Sequence, residues 1–375
     1  MAADDIKPAW MRMPPELLTM IWSMSDQVSF LQSAGVCRSW RAAALSNQRL
    51  WSRFRLSVSV AESLCNCPFP HVNDDLLDEH CAPFLRDFRM FGLFLSRSKD
   101  SPLHIRLDFL HERPSQLAIA MVTDLITKVA DRIFSLHFEV WNASMYMDMA
   151  VILPLFPVLD KLTIGVDSLF AQHSGISEFI APSAPRLRRL AFIGVEIDWD
   201  EAISGVENVV ELETVVYSQF DLDIIRRCFF SLSRLSVEIR SSSDNYFEQE
   251  PKGILGTLHE LQELHIVIHS ERWSTTDILR LAENTDHLRR LEIVIDFVIP
   301  ADISSLTFVT SLLTILDHVQ ANPGAEALHI SAPDREEIHV TEHGGRSRHI
   351  IFSALSRFGR DADIGAAFTA RVSKS

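Results

Sequence analysis

The sequence predicts an α/β chain that opens with three short helices and continues as an irregular solenoid-like array of parallel strands alternating with helices. Three observations predict it. Near the amino terminus, apolar residues recur at helical spacing in three short runs bounded by capping or breaking residues. From residue 133 onward, a short apolar pattern suited to strands returns every 20–29 residues. The composition, 47% hydrophobic and 23% charged over 375 residues, is too apolar for a disordered chain and long enough for one large or two ordinary domains.

In "MPPELLTMIW", Pro14 and Pro15 can open a helix, because a missing N–H is no loss in the first turn. Glu16 suits the positive end of the helix dipole, and Leu17, Leu18, Ile21 and Met24 fall at helical spacing on one face. Ser25 and Asp26 are caps for a second helix with the stripe Val28, Leu31 and Ala34. A third helix begins near Val36. Cys37, Trp40, Ala44 and Leu45 are expected on one face of it, and Ser46-Asn47 stops it just before Leu50 and Trp51. Three helices in roughly forty residues make a marginal core, too small to hide Trp22, Phe30, Trp40 and Trp51. Either the unit offers apolar surface to a partner, or it caps a larger core behind it.

The later pattern places an apolar anchor, a leucine-like residue three positions on, and an apolar residue two beyond that. It reads Ile133–Leu136–Phe138, Leu159–Leu162–Ile164, Leu187–Leu190–Phe192, Leu212–Val215–Tyr217, Leu232–Leu235–Val237, Leu261–Leu264–Ile266 and Leu288–Leu291–Ile293, with a weak copy at Leu328–Ile330. The spacing suits leucine-rich repeats, whose period is about 20–29 residues. Helical stretches lie between the copies: Leu117, Met121, Leu125 and Val129 step by four, and Leu306 to Val319 repeat the pattern. Earlier, "FLRDFRMFGLFLSRS" predicts a helix and Pro102 to Leu110 a strand, so the array can begin at Leu56. One strand and one helix cannot bury their apolar sides alone, but stacked copies can. The copies are degenerate. Where the usual pattern has an asparagine or cysteine turn, only Asp167 and Asp296 can make similar bonds. A non-repetitive α/β domain is the alternative.

The first fifty residues resemble an F-box. The resemblance rests on Pro14, Glu16-Leu17-Leu18, Ile21, Leu31, Val36-Cys37-Arg38-Ser39-Trp40 and Leu50-Trp51, in that order and spacing. It departs at Met13, where a leucine is usual, and at Gly35, which weakens the end of the second helix. The succession of F-box and degenerate repeats is similar to that of a large fungal group of F-box proteins. The resemblance implies a Skp-family adaptor and, through it, a cullin as partners, and an unknown protein as substrate. It implies that Pro14, Leu17, Leu18, Ile21, Leu31, Val36, Cys37, Trp40, Leu50 and Trp51 form or support the adaptor contact. The expected organisation is an F-box over 10–52, a repeat domain over 53–358 and a loosely held tail over 359–375. The alternative is a leucine-rich-repeat scaffold whose helices only cap the array.

Other chemistry is weakly represented. The formal charge of −15 disfavours nucleic acid as a partner, since the arginines at 186, 188 and 189 and at 346 and 348 form only short clusters. No run of about eighteen apolar residues exists to span a membrane, and the start does not read as a secretory signal. Five cysteines fit a reducing compartment, either cytoplasm or nucleus. Cys65, Cys67, His71, His80 and Cys81 have the ligand types of a zinc site but a CxC spacing, whereas structural sites favour roughly two to four intervening residues. Glu337, His339, Glu342 and His343 lack a nucleophile motif and the HExxH order. No catalytic, cofactor or metal site is expected, and the chain reads as a binding protein rather than an enzyme.

Overall fold

The computed structural model describes residues 13–58, 82–109, 116–140, 155–166, 172–173, 184–194, 196–197, 206–216, 219–240, 258, 260–268, 290–295 and 347–352. The chain divides into two compact units, Met1–Leu169 with Pro182–Leu187, and Phe170–Ala181 with Arg188–Ser375.

The first unit begins with α1 (Pro15–Met24), α2 (Gln27–Ala34) and α3 (Arg38–Ser46), followed by a 3-10 turn over Gln48–Trp51. Each boundary has a local cause. Pro14 and Pro15 start α1 without losing a needed donor. The Asp26 carboxylate accepts the Ser29 N–H at 2.9 Å and so caps α2, which holds that carboxyl below its ordinary range, the Ser29 hydroxyl contributing most. Asn47 stops α3 and its side chain accepts the Arg49 N–H.

Strands β1 (Arg53–Val58), β2 (Leu103–Phe109), β3 (Ile133–Val140) and β4 (Lys161–Val166) follow, each parallel to the next, with α4 (Ala82–Ser98) between β1 and β2 and α5 (Gln116–Thr127) between β2 and β3. Register stacks Phe54, Ile105, Leu136 and Leu162 in one buried rung and Leu56, Leu107, Phe138 and Ile164 in the next. Phe84, Phe91 and Phe94 form the inner stripe of α4. In α5 the buried face is Ile119, Val122 and Ile126, not the expected Met121 and Leu125, which are only half-buried. The two stripes are one position apart, and tertiary packing selects between them.

Three of the four aromatic residues too large for three helices are hidden after all, and Trp40 is half-buried. Trp22, Phe30 and Trp51 are buried, because Phe94 of α4 closes the cluster from outside the helical unit. Ring centroids lie 5.6 Å apart for Trp22–Phe30, 5.1 Å for Phe30–Trp51 and 4.9 Å for Trp51–Phe94, all edge-to-face. The Trp51 indole N–H donates to the Ala44 carbonyl at 2.8 Å, and the Arg97 guanidinium lies 4.4 Å from its ring centre.

The second unit holds β5 (Gln172–His173), β6 (Arg189–Ile193), β7 (Glu196–Ile197), β8 (Glu211–Val216), α6 (Gln219–Cys228), β9 (Arg234–Ile239), β10 (Glu263–Ile268), β11 (Arg290–Ile295) and β12 (Ser347–Phe352). From β6 through β8, β9, β10 and β11 to β12 each strand is parallel to its neighbour, while β5 pairs with β7. Leu235 and Leu264 share a buried rung with Leu212, and Val237 and Ile266 share the next with Thr214.

That register corrects one copy of the sequence pattern. Leu212 stands beside Leu235, so the copy is Val209–Leu212–Thr214, not Leu212–Val215–Tyr217. Val209 is buried as its anchor, and Val215 pairs with Glu238. The reading slipped because a polar residue, Thr214, occupies the apolar place two residues beyond Leu212. Its hydroxyl reaches only the Val215 carbonyl at 3.3 Å. Thr214→Val is therefore expected to stabilise the unit by about 1 kcal/mol, removing a poorly bonded hydroxyl from an apolar rung. Denaturant melts of the two proteins check this; an unchanged or lowered midpoint would mean that the hydroxyl is well satisfied.

The opposite rung is held by charge. Arg189, Glu211, Arg234, Glu263 and Arg290 occupy one register position on successive strands, so like charges never meet. Arg234 reaches Glu211 at 3.3 Å and Glu263 at 2.8 Å, and the Glu263 bond raises its pKa further. Such pairs add little energy each but penalise a slipped register. Helix α6 was not anticipated, although Asp221 in its first turn, Arg226 and Arg227 in its last and the inner Leu222 and Ile225 are helix signals; the second long helical stretch, Leu306 to Val319, and the weak copy at Leu328 lie outside the described residues.

Candidate functional site

The three helices sort their apolar residues between an inner and an outer face. Leu18 and Trp22 of α1, Phe30 and Ala34 of α2, and Ala43 and Ala44 of α3 point inward. Leu17, Met20, Ile21 and Met24 form an outer stripe on α1 at i, i+3, i+4 and i+7, with Met24 75% exposed. Val28, Val36 and Leu45 are exposed as well. The expectation that Leu17 and Leu18 share a face is thus corrected, because adjacent helical residues point about 100° apart. So is the grouping of Leu45 with Ala44, since Ala44 is buried and Leu45 is not.

Of the residues assigned from the resemblance, Pro14, Leu17, Ile21 and Val36 are exposed, Leu31, Cys37, Trp40 and Leu50 are half-buried, and Leu18 and Trp51 are core. Trp40 packs edge-on to Trp22 at 6.0 Å. Cys37 ends the loop before α3, with its sulfur 3.1 Å from the Ser39 hydroxyl; that bond holds the thiol below its ordinary value. Met20 and Val28 were not singled out as surface residues, although Met20 lies one helical turn from both Leu17 and Met24 in the sequence.

A second feature lies in the same unit. A cleft of about 1110 Å³ opens between the end of α1, the start of α2 and the polar face of β1 to β3. Trp22, Val28 and Phe54 supply apolar wall, and Arg49, Arg53, Arg55 and Arg106 supply charge. Behind it lies an ion network across three strands. Asp108 is 1% exposed and accepts hydrogen bonds from Arg55 and Arg106, the latter at 2.7 Å; Arg106 also donates to Glu139. Asp108, His137 and Glu139 place their donor atoms within 4.8 Å of one another. Two guanidiniums already neutralise the carboxylates, so a divalent cation would have to displace Arg106. The alternating outward residues of "LHIRLDF" and "LHFEV" carried this network in the sequence, unread because the inward leucines dominated the pattern.

His137 is the titratable member. Its Nε2 is buried 3.6 Å from the Glu139 carboxylate, too far to hydrogen bond. Burial, and then the charge of Arg106, lower its pKa below the ordinary 6.5. A depressed pKa means that the unfolded chain binds the proton more readily. The stability from neutral His137 is therefore complete above about pH 6.5 and is lost as pH falls toward the folded value. The His137→Gln variant should show a shallower loss of stability between neutral and mildly acidic pH, by at most about 1.4 kcal/mol per pH unit. Parallel slopes in paired thermal melts would show that His137 does not titrate in that range.

Residues 10–57 match the family model of the F-box-like domain. The chain carries an F-box. The match takes in the three helices, the 3-10 turn and nearly all of β1. F-box domains typically bind Skp-type adaptors, so the match supports, in general terms, a role in F-box-type adaptor function. No curated protein matches the chain. Among the described residues no helix is long and apolar enough to cross a membrane. The sequence candidates Cys65 to Cys81 and Glu337 to His343 lie outside the described residues.

Proposed function

We propose that this chain is the substrate-recognition subunit of a Skp–cullin–F-box ubiquitin ligase. The observation that carries the reading is the exposed stripe Leu17, Met20, Ile21 and Met24 on α1, in a unit that also exposes Val28, Val36 and Leu45. Contiguous apolar surface on a soluble fold marks a protein partner. The adaptor covers that surface, and through it the F-box joins the cullin. The strand array, read as degenerate leucine-rich repeats, holds the substrate. Ubiquitin transfer then follows from proximity: the chain positions a substrate lysine and contributes no reacting group of its own. The assembly works in cytoplasm or nucleus, where free thiols persist.

One observation favours the scaffold alternative. Trp51 and Phe30 pack on Phe94, so the helices do close the end of the strand core as a cap would. A cap has no use for the outer stripe, however. Co-expression with a fungal Skp-family adaptor separates the two readings. Stable co-elution supports the ligase subunit, whereas soluble protein that ignores the adaptor leaves the scaffold.

A further inference from the structure

The 35 basic residues are 29 arginines and 6 lysines. Lysine is ordinarily among the commonest residues of a soluble protein. The lysines are also sparse along the chain: none lies between Lys7 and Lys99, a span with nine arginines, and none between Lys252 and Lys374, a span with ten. The F-box therefore has no lysine from α1 through β1.

Some arginines do what only a guanidinium can. Arg106 bridges Asp108 and Glu139, Arg132 reaches both the Ser98 hydroxyl and the Ser101 carbonyl, Arg234 grips Glu263 with two nitrogens, and Arg97 lies over Trp51. Many others do not. Arg38, Arg41, Arg49, Arg89, Arg188 and Arg227 are exposed and make no side-chain hydrogen bond or ion pair among the described residues. For solubility a lysine would serve equally well at each of them, so fold and charge leave the choice of arginine unexplained.

The two cations differ in one relevant reaction. In ubiquitin transfer, a lysine ε-amine attacks the thioester carbonyl of ubiquitin on its carrier cysteine. The C–S bond breaks, an amide C–N bond forms, the thiol leaves and the amine gives up a proton. A guanidinium, protonated throughout the physiological range and delocalised, is not a nucleophile there. We propose that the near-exclusive use of arginine protects this subunit from modification by the ubiquitin carrier it is held beside, and that self-modification is confined to the few lysines present. Among the described residues these are Lys99, which follows α4, Lys128, 64% exposed and paired with Asp124, and Lys161 at the start of β4. The proposal rests on the ligase-subunit reading.

The test uses the full chain assembled with adaptor and cullin, supplied with activating enzyme, charged carrier and ubiquitin, and no substrate. Wild type is compared with the Arg89→Lys/Arg188→Lys/Arg227→Lys variant, which keeps every charge and leaves the F-box untouched. Circular dichroism and co-elution with the adaptor establish that the variant is folded and assembled. The variant should gain self-ubiquitination by roughly tenfold, as amines held at high effective concentration would, with new conjugates mapped by mass spectrometry to the introduced lysines. Equal modification of the two assembled proteins overturns this proposal alone. Failure of the wild type to assemble overturns the docking reading and this proposal with it.

Discussion

The Leu17→Ala/Ile21→Ala double variant should lose the Skp-family adaptor while keeping its fold. Both side chains are on the outer stripe of α1, 46% and 43% exposed, whereas Trp22, Phe30 and Trp51 make the buried cluster. Truncating such residues changes stability by about 0.5 kcal/mol or less each. At the centre of an interface, the same truncation removes a buried anchor and costs about 2 kcal/mol per residue. Two anchors together amount to a loss of roughly two to three orders of magnitude in affinity. The measurement is adaptor binding by calorimetry beside a thermal melt of each protein. Leu18→Ala is the contrasting variant. It is 2% exposed, so it should lower stability by about 2–5 kcal/mol and weaken binding only through unfolding. Wild-type affinity in the double variant would remove the outer stripe as the docking surface, and the capping role would become the better account of these helices.

The contrast between Leu17 and Leu18 also shows what the sequence could and could not convey. Helical periodicity identified α1, α2 and α3 and their caps correctly, because those signals are local: a proline pair, an aspartate cap and an asparagine stop. It could not say which face is inner, because α1 is apolar on both. That choice is made by the packing of Trp22 on Phe30 of α2 and Trp40 of α3, in a cluster that Phe94 closes from α4. The strand pattern was legible wherever apolar residues filled both rung places, as with Leu136 and Phe138 or Leu162 and Ile164. It failed by three residues at β8, where Thr214 took an apolar place. The Asp108 network was illegible for another reason. Its members become neighbours only through parallel pairing of β1, β2 and β3, and no spacing within one strand reveals cross-strand partners.

Trp51→Ala should have the largest effect on stability of any single change in the helical unit. The indole is 2% exposed and contacts Phe30 and Phe94, with Arg97 over its face. Loss of a buried aromatic of this size costs about 3–5 kcal/mol, and the Ala44 carbonyl is left without the indole N–H that it accepts at 2.8 Å. Trp51→Phe keeps a ring in the cluster but no N–H, and should fall between the two. The site of Trp51 gives the change a consequence beyond stability. It follows the last F-box helix and precedes β1, so its packing on Phe94 ties the docking helices to the first strands. Hydrogen exchange should therefore quicken in α1 to α3 of Trp51→Ala before it quickens in β2 and β3, and adaptor binding should weaken although every outer-stripe residue is intact. Unchanged exchange in the helices would mean that the F-box folds without α4, and the docking surface would then be independent of the strands that are proposed to hold the substrate.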